Sequence, residues 1–115
     1  VTGGGRPQDG APARVTVRPQ EDGAYVVDCS GEFDFDTVGV LRTACEGEAA
    51  AATLLVIDVA KVSFADSAFL NLLIRLRNSR RMELAGPLPG QLSRLLEMTG
   101  AHVLFEIRGP AGPGA

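Results

Sequence analysis

The sequence has no tryptophan, one tyrosine and one histidine, and aromatic residues make up only 5% of its 115 positions. With a single histidine, any nucleophile–histidine pair would have to use His102. Lysine is as scarce: Lys61 stands alone, and the other ten basic residues are arginines. Fourteen acidic residues bring the net charge to −3, which argues against a long-range pull toward nucleic acid or an anionic membrane. The two cysteines, Cys29 and Cys45, lack zinc spacing and are too few for a disulfide scaffold. Both fall in apolar patterns and are expected to be small buried hydrophobes. No apolar run is long enough to span a membrane, and no charged-then-apolar leader opens the chain. A cytoplasmic protein is expected, with neither nucleic acid nor membrane as a direct partner.

What is present suffices for one domain with one core, since 45% of the residues are hydrophobic. Residues 1–12 and 109–115 are rich in Gly and Pro with little to bury, and are expected to be disordered tails around a domain at 13–108. Arg14-Val15-Thr16-Val17-Arg18 alternates polar and apolar, as a half-buried strand does. Glu21-Asp22-Gly23 then turns the chain into a second strand, Ala24 to Ser30, which Gly31-Glu32-Phe33-Asp34 is expected to break. Asp34 or Asp36 is placed to cap a helix with Val38, Leu41, Ala44 and Cys45 on one side. Leu54-Leu55-Val56-Ile57 has the continuous apolar character of a strand covered on both faces, and the chain is expected to leave it at Asp58.

Asp66 or Ser67 caps a second helix, in which Phe69, Leu70, Leu72, Leu73, Ile74 and Leu76 form the core-facing stripe. Ala68, Asn71 and Arg75 lie opposite, with Ser67 at the margin. Arg75, Arg77, Arg80 and Arg81 are expected to complement a helix end. A short strand, Met82 to Ala85, precedes the rigid turn Gly86-Pro87-Leu88-Pro89. A third helix buries Leu92, Leu95, Leu96 and Thr99 and stops at Gly100, and Val103 to Ile107 is expected as a last strand. Strands alternating with helices predict an α/β domain: a mixed sheet of about five strands covered by three to four helices.

Catalytic signatures are missing. Gly-x-Ser-x-Gly is absent, His102 follows a helix-stopping Gly, and no phosphate-cradling glycine loop joins a strand to a helix. Asp58 ends an apolar strand where a phosphoacceptor aspartate could sit. The first strand, however, offers no carboxylate to help hold Mg²⁺, and no lysine follows Lys61. Asp58 is therefore expected to be a polar strand end or turn former. No catalytic residue, cofactor or metal is expected. The informative segment is Val62 to Leu70, which places the Ser67 hydroxyl in the first turn of a helix just beyond a central strand. Read alone, Asp66 and Ser67 there are an ordinary N-cap, a contribution of about 1 kcal/mol.

Three blocks in order make the chain similar to the STAS domain family, and in particular to anti-sigma factor antagonists. Ser30-Gly31-Glu32-Phe33-Asp34 resembles the family's Gly-Glu-apolar-Asp after the second strand. Val59 to Leu70 resembles its Asp-Ser phosphorylation motif. Leu84-Ala85-Gly86-Pro87 with Leu95-Leu96-Glu97-Met98-Thr99-Gly100 resembles its closing strand–turn–helix. The resemblance implies the STAS-type sheet and a non-enzymatic binding module in a bacterial partner-switching system. Ser67 would be phosphorylated by an anti-sigma factor that is also a serine kinase, and restored by a serine phosphatase. Asp34, Asp66, Ser67, Ala68, Asn71 and Arg75 would form the contact surface. Phe69 stands where the family usually has Gly, and its place in the apolar stripe predicts core packing. Two other functions are weighed against this one: a STAS scaffold or decoy that is not phosphorylated, and a small hydrolase or phosphotransferase built on Asp58, Asp66, Ser67 and His102.

Overall fold

The computed structural model describes residues 11–109. The expected tails lie outside these residues except at positions 11, 12 and 109. Five strands, β1 (Arg14–Pro19), β2 (Ala24–Phe33), β3 (Leu54–Ala65), β4 (Met82–Ala85) and β5 (Ile107–Arg108), form one sheet in the order β1-β2-β3-β4-β5. β1 is antiparallel to β2, and every later pair is parallel, so the sheet is mixed. Three helices, α1 (Gly39–Glu46), α2 (Ser67–Ser79) and α3 (Gly90–Thr99), connect the parallel strands.

From β2 to β5 the chain steps always in the same direction across the sheet. Right-handed crossovers then put every helix on one face. The packing agrees: Leu41 and Cys45 of α1, Phe69 to Leu76 of α2, and Leu92 and Leu96 of α3 all join one core with Val27, Leu55, Ile57 and Leu84 of the sheet. A monotonic strand order has no switch point, so the fold lacks the crevice in which doubly wound proteins bind ligands. On the opposite face Val26, Val56 and Ala85 form a small separate cluster with Leu54. Each has a charged neighbour across the sheet: Arg18 beside Val26, Glu83 beside Val56 and Arg108 beside Ala85.

Four element boundaries differ from the sequence expectation. β2 does not break at Gly31, because the alternation of buried Val27, Cys29, Gly31 and Phe33 runs on to the strand's end. Gly31 is required there: its φ is +89°, and a Cβ would lie 2.1 Å from the Pro12 carbonyl oxygen. β3 does not end at Ile57 but continues to Ala65. Two register shifts against β2 each insert one extra residue, so the buried positions Val59, Val62 and Ala65 recur every third residue. That spacing disguises the strand. Asp58 is accordingly no strand end; it sits inside β3 and braces the first bulge by accepting from the Ala60 N–H at 3.0 Å.

α1 starts at Gly39, later than an Asp34 or Asp36 cap implies, and its N-cap Val38 makes no side-chain bond. Asp34 instead organises the preceding turn, where its Oδ1 accepts from the N–H groups of Asp36 (2.9 Å) and Thr37 (3.0 Å). The expected closing strand Val103 to Ile107 is present only from Ile107, as β5. Ala101–Leu104 forms a 3₁₀ turn after the left-handed Gly100, and β4, only four residues long, leaves β5 two residues to pair with. Thr99, expected on the buried side of α3, is exposed and returns its hydroxyl to the Leu95 carbonyl at 2.9 Å.

Of the arginine cluster, Arg77 lies in the last turn of α2, whereas Arg80 reaches the end of α1 and the turn after it. Its guanidinium donates to the carbonyl of Cys45 (3.0 Å), in the last turn of α1, and to those of Ala49 (2.9 Å), Ala50 (3.1 Å) and Ala52 (3.1 Å) in the turn that follows.

Candidate functional site

β3, the central strand, ends at Ala65, and two contacts fix where the chain leaves it. The Gln91 side-chain amide donates to the Ala65 carbonyl at 2.7 Å and accepts from the Ala65 N–H at 2.9 Å. One residue on, the Asp66 N–H donates to the Phe33 carbonyl at 3.2 Å. Asp66 is then the N-cap of α2. Its Oδ1 accepts from Ala68 N–H at 2.8 Å and Phe69 N–H at 3.4 Å, satisfying donors that have no partner within the helix.

Ser67 follows as the first helical residue and is exposed. Phe69 points the other way: it is 0% exposed, and its ring lies 5.1 Å from that of Phe33 at 43°. The phenyl ring is in the core and leaves the Ser67 hydroxyl uncovered. Asp66 also reaches across to the turn after β2, where its Oδ2 accepts from the Phe35 N–H at 3.2 Å. Phe35 is 80% exposed, although aromatic residues are few in this chain.

The other expected contact residues group around this corner. Asp34 is half-buried in the turn that carries Phe35, and Ala68, Asn71 and Arg75 run along the outer side of α2. Ala68, Asn71, Leu72 and Arg75 form one wall of a groove of ≈ 420 Å³; Phe35, Asp36, Val38, Gly39 and Arg42 form the other. The sequence reading missed Phe35, Arg42 and Gln91. Phe35 had a signal, since an aromatic residue between two aspartates in a turn has little to pack against. Gln91 had none, because its partner Ala65 is 26 residues away.

A nucleophile–histidine pair is not assembled. His102 lies in the 3₁₀ turn whose Leu104 carbonyl accepts from Arg77 Nε at 3.0 Å. Arg77 is ten residues beyond Ser67 on α2, about 15 Å along the axis at 1.5 Å per residue. Asp58 lies in β3, on the face opposite the helices, paired with Asp28. Among the described residues no three His, Cys, Asp or Glu side chains converge to hold a metal ion. None of the described helices is long and apolar enough to cross a membrane.

The cysteines have the character expected of buried thiols. Desolvation pushes Cys29 well above the usual thiol range and Cys45 up to about 11, the nearby Arg80 charge opposing the second shift.

These features define a small α/β domain without a strand-order switch point, with an exposed serine in the first turn of the helix that follows its longest strand. The chain matches the family described as "Mlab, STAS domain" over residues 17–106, and it belongs to that family. Its fold is that of anti-sigma factor antagonists. The crystal structure of such an antagonist from Mycobacterium paratuberculosis superposes with a TM-score of 0.73 at 26% identity, covering 83% of this chain and 84% of that one. The unphosphorylated form of the anti-sigma factor antagonist SpoIIAA gives 0.65 at 20% identity, covering 83% and 88%. The phosphorylated form of the Bacillus protein gives 0.59 at 18% identity, covering 83% and 91%. At those identities the SpoIIAA likeness concerns the fold alone. No curated protein matches the chain.

Proposed function

We propose that this STAS domain is an anti-sigma factor antagonist, a non-catalytic module that docks on an anti-sigma factor with serine kinase activity and is released when that kinase phosphorylates Ser67. A serine phosphatase acting on the phosphorylated form would reset it. The observation that carries this reading is the exposed Ser67 hydroxyl beside the Asp66 cap and the uncovered Phe35.

The switch needs only local electrostatics. A phosphate adds about −1.5 to −2 charges at pH 7, taking the net charge from −3 to roughly −5. A helix N-terminus favours an anion, so the modification leaves α2 folded. Beside Asp66 and near Asp34 and Asp36, the new charge faces whatever packs against Phe35. In a desolvated interface that repulsion costs several kcal/mol, or roughly two to three orders of magnitude in affinity. SpoIIAA, which shares the fold, is known in unphosphorylated and phosphorylated forms, so the architecture accommodates both.

The test is binding to the cognate anti-sigma factor by calorimetry, with mass spectrometry after incubation with ATP. Wild type and Ser67→Ala are expected to bind alike, Ser67→Asp about a hundredfold more weakly, and only wild type to gain a phosphate. Equal binding by Ser67→Asp would overturn the proposal.

A further inference from the structure

The sheet face that no helix covers carries many charges, and most are already engaged. Arg18 Nε lies 2.6 Å from Asp28 Oδ2, Arg108 Nε lies 3.4 Å from Glu83 Oε1, and Asp58 accepts from Ala60 N–H. The hydrogen bond from Arg18 to Asp28 also raises the guanidinium pKa above its usual value.

The exceptions stand together. Strand pairing sets Arg14 beside Ser30 and Ser30 beside Lys61, a row across three adjacent strands, with Thr16 in the next row of β1. No hydrogen bond or ion pair among the described residues engages the side chains of Arg14, Lys61, Ser30 or Thr16. All four line one hollow of ≈ 440 Å³, with the Arg18–Asp28 pair and Asp58 along its side. That volume lies within the range of small-molecule sites, about 300–1,000 Å³.

The spacing suits a tetrahedral oxyanion. Neighbouring strands lie about 4.8 Å apart, so two long cationic side chains rise on either side of a short hydroxyl and can close over it. A charged donor on each flank with hydroxyl donors between them gives charge-assisted bonds to several phosphate oxygens at once. Three cations (Arg14, Arg18, Lys61) face two carboxylates (Asp28, Asp58), a local balance of +1 in a chain whose net charge is −3. One phosphate group, with about −1.5 to −2 charges at pH 7, exceeds that balance only slightly, whereas a polyphosphate would carry its further charges over Asp28 and Asp58. Asp58, one row from Lys61, offers an acceptor to a hydroxyl on the same ligand.

We propose that this hollow binds a small hydroxylated phosphate monoester, with Arg14 and Lys61 clamping the phosphate over Ser30 and Thr16 and with Asp58 accepting from a ligand hydroxyl. Ser67 is not among the residues that line the hollow; it follows the C-terminal end of β3.

The test is a titration of the ¹⁵N-labelled full chain, followed by NMR, with inorganic phosphate, with glycerol 3-phosphate, and with sodium chloride at matched ionic strength. Both phosphates are expected to shift the amides of residues 14–18, Ser30, Ala60 and Lys61, with glycerol 3-phosphate binding more tightly. Arg14→Ala and Lys61→Ala should each weaken binding about fivefold or more. Asp58→Ala should remove the advantage of glycerol 3-phosphate over phosphate. Arg94→Ala, which deletes one positive charge on α3, and Ser67→Ala should both bind as wild type does. The proposal fails if no shifts appear by about 20 mM probe, well above a millimolar dissociation constant. It also fails if sodium chloride reproduces the shifts, or if Arg94→Ala weakens binding as much as Lys61→Ala.

Discussion

The Asp66 carboxylate holds Phe35: one oxygen caps α2 beneath Ser67, and the other accepts the Phe35 N–H at 3.2 Å from a turn 31 residues earlier. One side chain therefore sets both the serine and the exposed aromatic ring.

Substituting this residue separates its two roles. Asp66→Ala loses the cap and the tether and should destabilise the domain by about 1–2 kcal/mol in urea unfolding. Asp66→Asn keeps a cap acceptor but can turn an amide donor toward the Phe35 N–H. It should cost less stability than alanine, while amide exchange at Phe35 becomes as fast as in the alanine variant.

Arg80 ties the last turn of α1 to the turn that follows it through four carbonyls. Arg80→Ala should cost about 2–3 kcal/mol of unfolding free energy, since charged hydrogen bonds are the stronger kind. Arg80→Lys should recover less than half of that, because a single ammonium cannot span carbonyls that a planar fork reaches together.

Gln91 clamps Ala65 on both its backbone groups. Gln91→Glu removes the donor and sets a carboxylate against the Ala65 carbonyl. The expected outcome is a loss of about 1 kcal/mol and faster hydrogen exchange at Ala65 and Asp66, with α3 itself intact by circular dichroism.

The raised thiols tie stability to alkaline pH. Unfolded cysteine titrates near about 8.5, while Cys45 in the fold titrates near 11 and Cys29 is held well above its usual range. Between these values the unfolded chain binds fewer protons than the folded one, so stability is full below about pH 8.5 and falls as pH rises toward 11. Cys45→Ala should make that decline shallower in denaturation curves taken across the window. Alkylation of both thiols at pH 7.5 should track unfolding and not exposure in the native state.

Much of the fold could be read from the chain because its signals were local. The β1–β2 hairpin, the apolar stripe of α2 from Phe69 to Leu76 and the Gly100 stop each depend on residues within a few positions of one another. The same holds for the Asp66 cap and for Phe69 as a core residue. Reading failed where the period was broken or borrowed. The two bulges of β3 turned an alternating pattern into a three-residue one, and the apolar run at Val103-Leu104-Phe105 had no long neighbouring strand to pair with.

What the sequence determined by itself is an α/β domain with a serine in the first turn of its second helix, because periodicity and capping act over one or two turns of chain. Tertiary structure alone decided that Phe35 stands out beside Ser67, that Gln91 and Arg80 clamp backbone 26 to 35 residues away, and that Arg14, Ser30 and Lys61 share one row. Those relationships arise from strand register and crossover direction, which bring distant residues together and leave no trace in the spacing of either partner.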